Sequence, residues 1–529
     1  MYRFCLSLFA ASLLAGCGGQ PVDALVNNKL VRIDSGAVEG AAANGVLSFK
    51  GIPYATPPVG PLRWRAPQPV APWSTTRSAQ NFGHSCMQLA YNPAAVVPAG
   101  TEPNEDCLVM NVWRPDQPVT KKMPVMVWIY GGGMVNGSSS EPTYDGSQFA
   151  KQGVLFVSFN YRVGRFGFFA HPGLSQENPG GPLGNYGFMD QLAALQWVQR
   201  NIASFGGDPG DVTVFGESAG GFGVHVLMTS PLAKGLFHKA IAQSGGGRTG
   251  FVPGRRLRER GPGGLPSGEE VGVTFAATLG IGGDAASALA ALRAQPADKI
   301  VAGLNMITLL RDANTFSNSM IDGQLIVDEP QQIYNTGRQQ KVPLIVGATD
   351  LDLGFTDATT IDQALAPFGP AKRQAALAAY DPLGSGDGLA VAARVASDRL
   401  MVEPARFTAK AIAAQSLPVY EYRFAYVADA LRSKRAGAAH ASELAYVFDT
   451  LGASYPAISA QDQQMAKQIQ DYWVSFVKTG NPNGGDRPQW PAYEVRSDRL
   501  FDFSAAGPTK SAAVADPWKA RMDLVEQLY

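Results

Sequence analysis

The sequence predicts an α/β protein with a large, mainly parallel central sheet flanked by helices. Three observations carry this. Short strand-like runs alternate with segments of helical period along most of the chain. Runs such as 124–130 (PVMVWIY) and 154–161 (VLFVSFNY) are apolar without alternation, as strands buried on both faces require. The run 212–215 passes through a glycine-flanked turn straight into a helix-forming segment at 219–228, the step that joins a strand to a covering helix.

Taken in order, residues 18–45 read as a polar, Ala/Gly-containing approach. Strands are expected at 109–113, 124–130, 154–161 and 212–215, then at 239–243, 343–347 and 418–424. The spacing of Leu192, Leu195, Trp197, Val198 and Ile202 predicts a helix over 189–202, and a further helix is expected over 463–479. The Ala- and Leu-rich stretch 260–340 breaks the strand rhythm and reads as a helical insertion over one end of the sheet. Residues 499–503 read as a late edge strand. There is no repeat and no segment with the composition of a linker, so 17–529 is expected to be a single domain.

The 44 basic and 44 acidic side chains balance to a net charge of +0, which argues against a nucleic-acid partner. One dense basic stretch, Arg255–Arg260, lies among Pro and Gly and reads as a solvated loop. At the N-terminus Arg3 supplies a charge, and 4–15 is an apolar run too short to span a bilayer. Residues 1–16 therefore read as a signal peptide. The ending Leu14–Ala15–Gly16–Cys17 resembles a bacterial lipobox, with Cys17 as the lipid-bearing new N-terminus. An exported chain tethered to the outer membrane by that lipid is the expectation, with no other membrane contact. Export exposes the chain to oxidising conditions. With Cys5 removed and Cys17 lipidated, Cys86 and Cys107 remain to form a disulfide.

Gly216–Glu217–Ser218–Ala219–Gly220 follows the 212–215 strand and opens the next helix. A tight strand-to-helix turn needs glycine on both sides and pushes the serine out above the sheet, as a nucleophile requires. A hydroxyl needs a base to attack. Where a serine sits on such an elbow, an acid and then a base follow it along the chain. Of the five histidines, His84 and His171 precede Ser218. His225 rides the departing helix and points away, and His238 starts the next strand. His440, on the small-residue loop 437–443, remains as the base. The acid should follow the 343–347 strand, where Asp350 and Asp352 are both candidates and Asp357 is more distant. The glycine run 131–133, after a buried strand, lets backbone approach a substrate, so the N–H groups of Gly132, Gly133 and Ala219 are candidates for an oxyanion hole. A phosphate loop is the rival for such a run, but the Gly-x-x-x-x-Gly-Lys-Ser/Thr pattern is missing and no lysine lies nearby. No Cys/His spacing suggests a metal, and this chemistry needs no cofactor.

These residues, together with 49–55 (FKGIPYA), Arg63–Trp64, Glu105–Asp106–Cys107–Leu108, Asn111–Val112–Trp113, 205–209 (FGGDP) and Gln243–Ser244–Gly245, resemble the type-B carboxylesterases, relatives of the cholinesterases. The resemblance runs from about residue 30 to the C-terminus. It implies an α/β-hydrolase fold and hydrolysis of a carboxylic ester through an acyl-enzyme. It also implies the Cys86–Cys107 link and the Gly132, Gly133 and Ala219 trio. The family acid, usually Glu, falls six residues into a strand-end motif that begins with Gly. Counting from Gly347 gives Asp352, one carbon shorter. Glu217 and Glu443 match family positions and are either electrostatic supports or structural buried carboxylates. The 86–107 loop lacks the Trp that cholinesterases use and offers Tyr91, so a choline ester is not indicated. The same machinery would also serve an amide, carbamate or lactone. Relatives that became non-catalytic binding proteins typically lack the serine or the histidine.

Overall fold

The computed structural model describes residues 29–90, 98–250, 252–309 and 314–529. The leader, Cys17 and Tyr91 lie outside them. The strands, in chain order, are β1 (Leu30–Ile33), β2 (Gly36–Glu39), β3 (Ala41–Ala43), β4 (Val46–Pro53), β5 (Arg77–Ser78), β6 (Val109–Pro115) and β7 (Met123–Ile129). They continue with β8 (Leu155–Phe159), β9 (Gly207–Glu217), β10 (Lys239–Gln243), β11 (Leu344–Thr349), β12 (Val419–Phe424), β13 (Arg499–Phe503) and β14 (Ala512–Ala515). Among the described residues, β1, β2 and β5 form a small sheet, and the other strands form one large sheet in the order β14-β13-β12-β11-β10-β9-β7-β8-β6-β4-β3. The run from β8 to β13 is parallel throughout, and antiparallel strands close both edges.

β8, β10, β11 and β12 are buried at every residue. This is why their sequences are apolar or small rather than alternating: helices cover both faces of a parallel sheet. The main covering helices are Tyr186–Asn201, Ala219–Thr229, Glu403–Ala413 and Ala460–Thr479. The last begins at a capping box of Ser459 with Asp462 and stops at Gly480, whose φ of 76° ends the helix in the left-handed region.

Three expectations are corrected. Residues 30–43 are not an irregular approach but carry β1, β2 and β3. Each of these spans only three or four residues, too short for its alternation to stand out. The 499–503 strand is not at the edge, because β14 pairs antiparallel outside it. Among the described residues, the 260–340 stretch is α-helical in pieces, Gly268–Thr278, Ala285–Arg293, Ala297–Val301 and Pro330–Asn335.

Three devices fix the parts of the sheet that matter below. Tyr130 and Tyr161, just beyond β7 and β8, stack at 4.4 Å, and each hydroxyl donates to the other's carbonyl, at 3.0 and 2.8 Å. Trp128 of β7 packs its ring 4.7 Å from Phe215 of β9 and 5.0 Å from Phe448. Phe448 lies a short way downstream of His440, so the core holds that loop against the central strands. The Cys86–Cys107 disulfide is formed, with Cα atoms 4.9 Å apart and a sequence separation of 21. Closing a loop of this size stabilises the fold by about 3 kcal/mol on chain-entropy grounds.

Candidate active site

The loops leaving β7, β9, β10, β11 and β12 all start from the carboxyl ends of consecutive parallel strands, where open α/β sheets place their sites. Each supplies one component.

β9 ends at Glu217, and Ser218 follows with φ 56° and ψ −124°. A non-glycine residue in this region is strained by about 1–3 kcal/mol and persists only where its surroundings hold it. Here Ser218 N–H donates to Gln243 O at 2.9 Å, and its own carbonyl accepts from Phe222 N–H at 2.8 Å. The flanking glycines are required by contact. A Cβ on Gly220 would lie 2.0 Å from Ile129 O, and one on Gly216 would lie 2.5 Å from the Gly220 carbonyl. The elbow is thus pressed against the end of β7.

β7 delivers the glycine run. Gly132 has φ 106° and Gly133 φ 61°. A Cβ on Gly131 would meet Ser218 Cβ at 2.9 Å, so this backbone lies directly beside the serine. The N–H groups of Gly132 and Gly133 have no acceptor among the described residues. Ala219 N–H, at the first turn of its helix, has no carbonyl one turn back within the helix to bond. Unclaimed donors beside a strained serine can receive an oxyanion.

β12 leads through a long connection to His440, and β11 leads to Asp350 and Asp352. The two loops zip together: Leu351 bridges to Ala439, and Leu351 N–H donates to Ala438 O at 3.0 Å. The two aspartates then part company. Asp352 Oδ1 accepts from His440 Nδ1 at 2.6 Å and from Leu353 N–H at 2.6 Å. Its Oδ2 accepts from Ser244 Oγ at 2.6 Å and Thr349 N–H at 2.9 Å. Asp350 instead accepts from Ala438 N–H at 2.6 Å and braces the histidine loop. Asp357 makes no contact with His440 among the described residues.

The far nitrogen of His440, Nε2, lies 3.2 Å from Glu217 Oε1, although without the alignment of a hydrogen bond. That places the imidazole next to the residue preceding Ser218. Glu443 is buried close by, where its Oε1 accepts from Gln243 Nε2 at 3.2 Å. Gln243 Oε1 in turn accepts from Trp473 Nε1 at 3.1 Å. Burial would raise Asp352, but the His440 charge and the donors around it hold its carboxyl below the ordinary value. Burial pushes Asp350 up to about 6. Burial also raises Glu217 and Glu443, which repel each other and Asp352. On His440 burial opposes charge, but the carboxylates of Glu217, Asp352 and Glu443 outweigh it and raise the imidazole. One imidazole therefore faces three carboxyl groups, two of which resist ionising.

The other histidines stand apart from this cluster. His225 is fully buried, with Nδ1 2.8 Å from Tyr334 OH. His171 caps a short helix, His238 accepts from Val212 N–H, and His84 Nδ1 lies 2.9 Å from Glu102 O. Sequence reasoning did not assign roles to Ser244 and Gln243. Their signal was the Gln-Ser-Gly run that closes the strand beside the elbow strand.

A mainly parallel sheet covered by helices, with a strained serine at a strand-to-helix elbow and a histidine paired with an aspartate at the neighbouring strand ends, defines an α/β-hydrolase. The chain belongs to the carboxylesterase family, whose model matches residues 27–380 and 385–515, and it is an esterase. It is 36% identical to fumonisin B1 esterase of Sphingopyxis macrogoltabida, over 97% of this chain and 94% of that protein. It is 34% identical to para-nitrobenzyl esterase of Bacillus subtilis, over 90% of this chain and 95% of that protein. A solved PNB esterase structure matches with a TM-score of 0.80 at 32% identity, covering 94% of this chain and 99% of that one.

Proposed function

We propose that the chain hydrolyses small-molecule carboxylic esters by two-step acyl transfer, with Ser218 as nucleophile, His440 as base and Asp352 as the acid that orients it. The observation that carries this is the 2.6 Å Asp352–His440 pair, whose imidazole reaches the elbow at Glu217. His440 Nε2 takes the proton from Ser218 Oγ as that oxygen attacks the ester carbonyl carbon. The carbonyl oxygen becomes an oxyanion and is held by the N–H groups of Gly132, Gly133 and Ala219. Collapse breaks the bond to the alcohol, which leaves with the proton from His440. Water then attacks the acyl-enzyme with His440 again as base, releasing the acid and Ser218. Relatives named for fumonisin B1 and para-nitrobenzyl esters support an ester substrate, and they set the two ends of a substrate panel.

The test is to label the protein with a fluorophosphonate probe and map the modified peptide. Covalent modification of Ser218, with loss of p-nitrophenyl ester hydrolysis in proportion to labelling, is expected. An active protein that stays unlabelled, or is labelled on another residue, would refute the mechanism.

The carboxylates around His440 set a pH dependence. The base works only when neutral, so activity rises as pH climbs through the His440 pKa. Negative charge on Glu217 raises that pKa and moves the rise to higher pH. Glu217→Gln removes the charge, lowers the imidazole pKa and shifts the ascending limb of kcat/KM to lower pH, by about 1 unit or more. A profile that stays in place or moves to higher pH would show that Glu217 exerts no such field.

A further inference from the structure

The turn that follows the oxyanion glycines, Asn136–Gly137, is held from outside by two side-chain amides, those of Gln88 and Asn136. Gln88, two residues past the disulfide cysteine, pairs with Gly137 as one strand pairs with another. Its Nε2 donates to Gly137 O at 2.8 Å and its Oε1 accepts from Gly137 N–H at 2.9 Å. Nε2 also donates to Cys86 O at 3.0 Å. Asn136, buried beside it, donates through Nδ2 to Gln88 Oε1 at 3.2 Å and to Leu89 O. Its Oδ1 accepts from Met306 N–H at 3.1 Å, and its own N–H donates to Gly132 O at 2.9 Å. Asn136 therefore joins three separate chain segments: the disulfide-closed loop, the oxyanion glycines and the turn that carries Met306.

That turn bears on the site directly. A Cβ on Gly133 would lie 2.5 Å from Met306 Sδ and 3.0 Å from Leu309 Cδ2, so these side chains rest on the Gly133 backbone. Asn136 is thus tied to both: its backbone N–H holds the Gly132 carbonyl just before Gly133, and its side chain holds the turn that carries the apolar wall.

We propose that Gln88 and Asn136 are positioning residues for ester hydrolysis, an amide clamp that fixes the oxyanion glycines and the Met306–Leu309 wall as one unit. The proposal rests on the Ser218 reading above. Both side chains must be amides, because each donates to a carbonyl and accepts from an N–H at the same time. A carboxylate would set oxygen against oxygen, and an apolar side chain would leave buried peptide groups without partners. A misplacement of the oxyanion donors by a fraction of an ångström acts on the transition state rather than on substrate binding.

The experiment compares wild type with Gln88→Ala, Asn136→Ala and Asn136→Asp. It measures kcat and KM on p-nitrophenyl butyrate, the Ki of an aryl trifluoromethyl ketone and the fraction of serine titrated by a fluorophosphonate. The ketone forms a tetrahedral adduct with the serine and so reads the oxyanion hole. Per titrated serine, kcat is expected to fall about tenfold to 100-fold, the size of effect that misplacement gives, with KM nearly unchanged. The ketone Ki should rise in parallel. A loss of rate that only tracks the loss of titratable serine, with kcat and Ki per site within twofold of wild type, would overturn the clamp. Should the alanine variants fail to fold, Asn136→Asp decides alone. It keeps the acceptor for Met306 N–H and loses both donors, and wild-type kcat and Ki in that variant would equally overturn the proposal. Wild type that binds neither ketone nor fluorophosphonate would instead sink the Ser218 reading, so the two failures are distinct.

Discussion

Ser218→Ala is expected to lower kcat for p-nitrophenyl esters by about 10⁶-fold while the protein stays folded, as removal of a nucleophile does in other serine hydrolases. The elbow makes this a clean experiment. Alanine keeps the Cβ, so the cost of holding φ at 56° is the same in both proteins. The contacts that hold the turn, Ser218 N–H to Gln243 O and Phe222 N–H to Ser218 O, are made by backbone and survive the change. Only the hydroxyl is lost. Thermal denaturation and near-UV circular dichroism should therefore match wild type, KM should change little and fluorophosphonate labelling should vanish. A second change, His440→Ala, should then cost almost nothing more, because a base without a nucleophile has no proton to take. Hydrolysis within tenfold of wild type in Ser218→Ala would mean that another group attacks the ester.

The sequence showed the elbow and the histidine because each had a local or exclusionary signal. Glycines bracket Ser218, and the other histidines lie before it or on elements that lead away. The central strands were legible because burial on both faces leaves runs of apolar residues. Legibility ended where the signal was short or non-local. β1, β2 and β3 are too brief to show alternation, and β14 is a four-residue edge strand of mostly alanine (AAVA), too short and too poor in strand-forming residues to stand out. Nothing in the sequence joins Gln88 to Gly137 or Asn136 to Met306, because those pairs meet only after the sheet has brought its loops to one end. The choice between Asp350 and Asp352 was of the same kind. Both follow the same strand, and only the register between two loops, Leu351 against Ala439, decides which carboxylate faces the imidazole.

That choice carries the second large effect. Asp352→Asn is expected to lower kcat by about 10⁴-fold, and Asp350→Asn by less than about tenfold. Asp352 is surrounded by donors on both oxygens: His440 and Leu353 N–H at Oδ1, Ser244 Oγ and Thr349 N–H at Oδ2. An asparagine has one NH₂ group and must turn it toward one of those sides. Turned toward Oδ2, it drives an N–H against Thr349 N–H. Turned toward His440, it donates to Nδ1 and places the ring proton on Nε2, the nitrogen that must accept from Ser218. Either orientation costs hydrogen bonds, and the second disables the base outright. Asp350 meets a single backbone donor, Ala438 N–H, which an asparagine carbonyl satisfies equally well. Burial raises Asp350 only to about 6, so it is mostly ionised near neutral pH, and the negative charge its replacement removes is not one of the carboxylates (Glu217, Asp352 and Glu443) that raise His440. Raising pH should distinguish the two further. Activity lost through a wrong tautomer does not return with hydroxide alone unless a different step takes over, whereas the small Asp350→Asn loss should be nearly constant above pH 7. Steady-state kinetics of the two variants from pH 6 to 9 provide the measurement. The opposite ranking, with Asp350→Asn the more damaging, would move the triad acid to Asp350 and leave Asp352 as the brace.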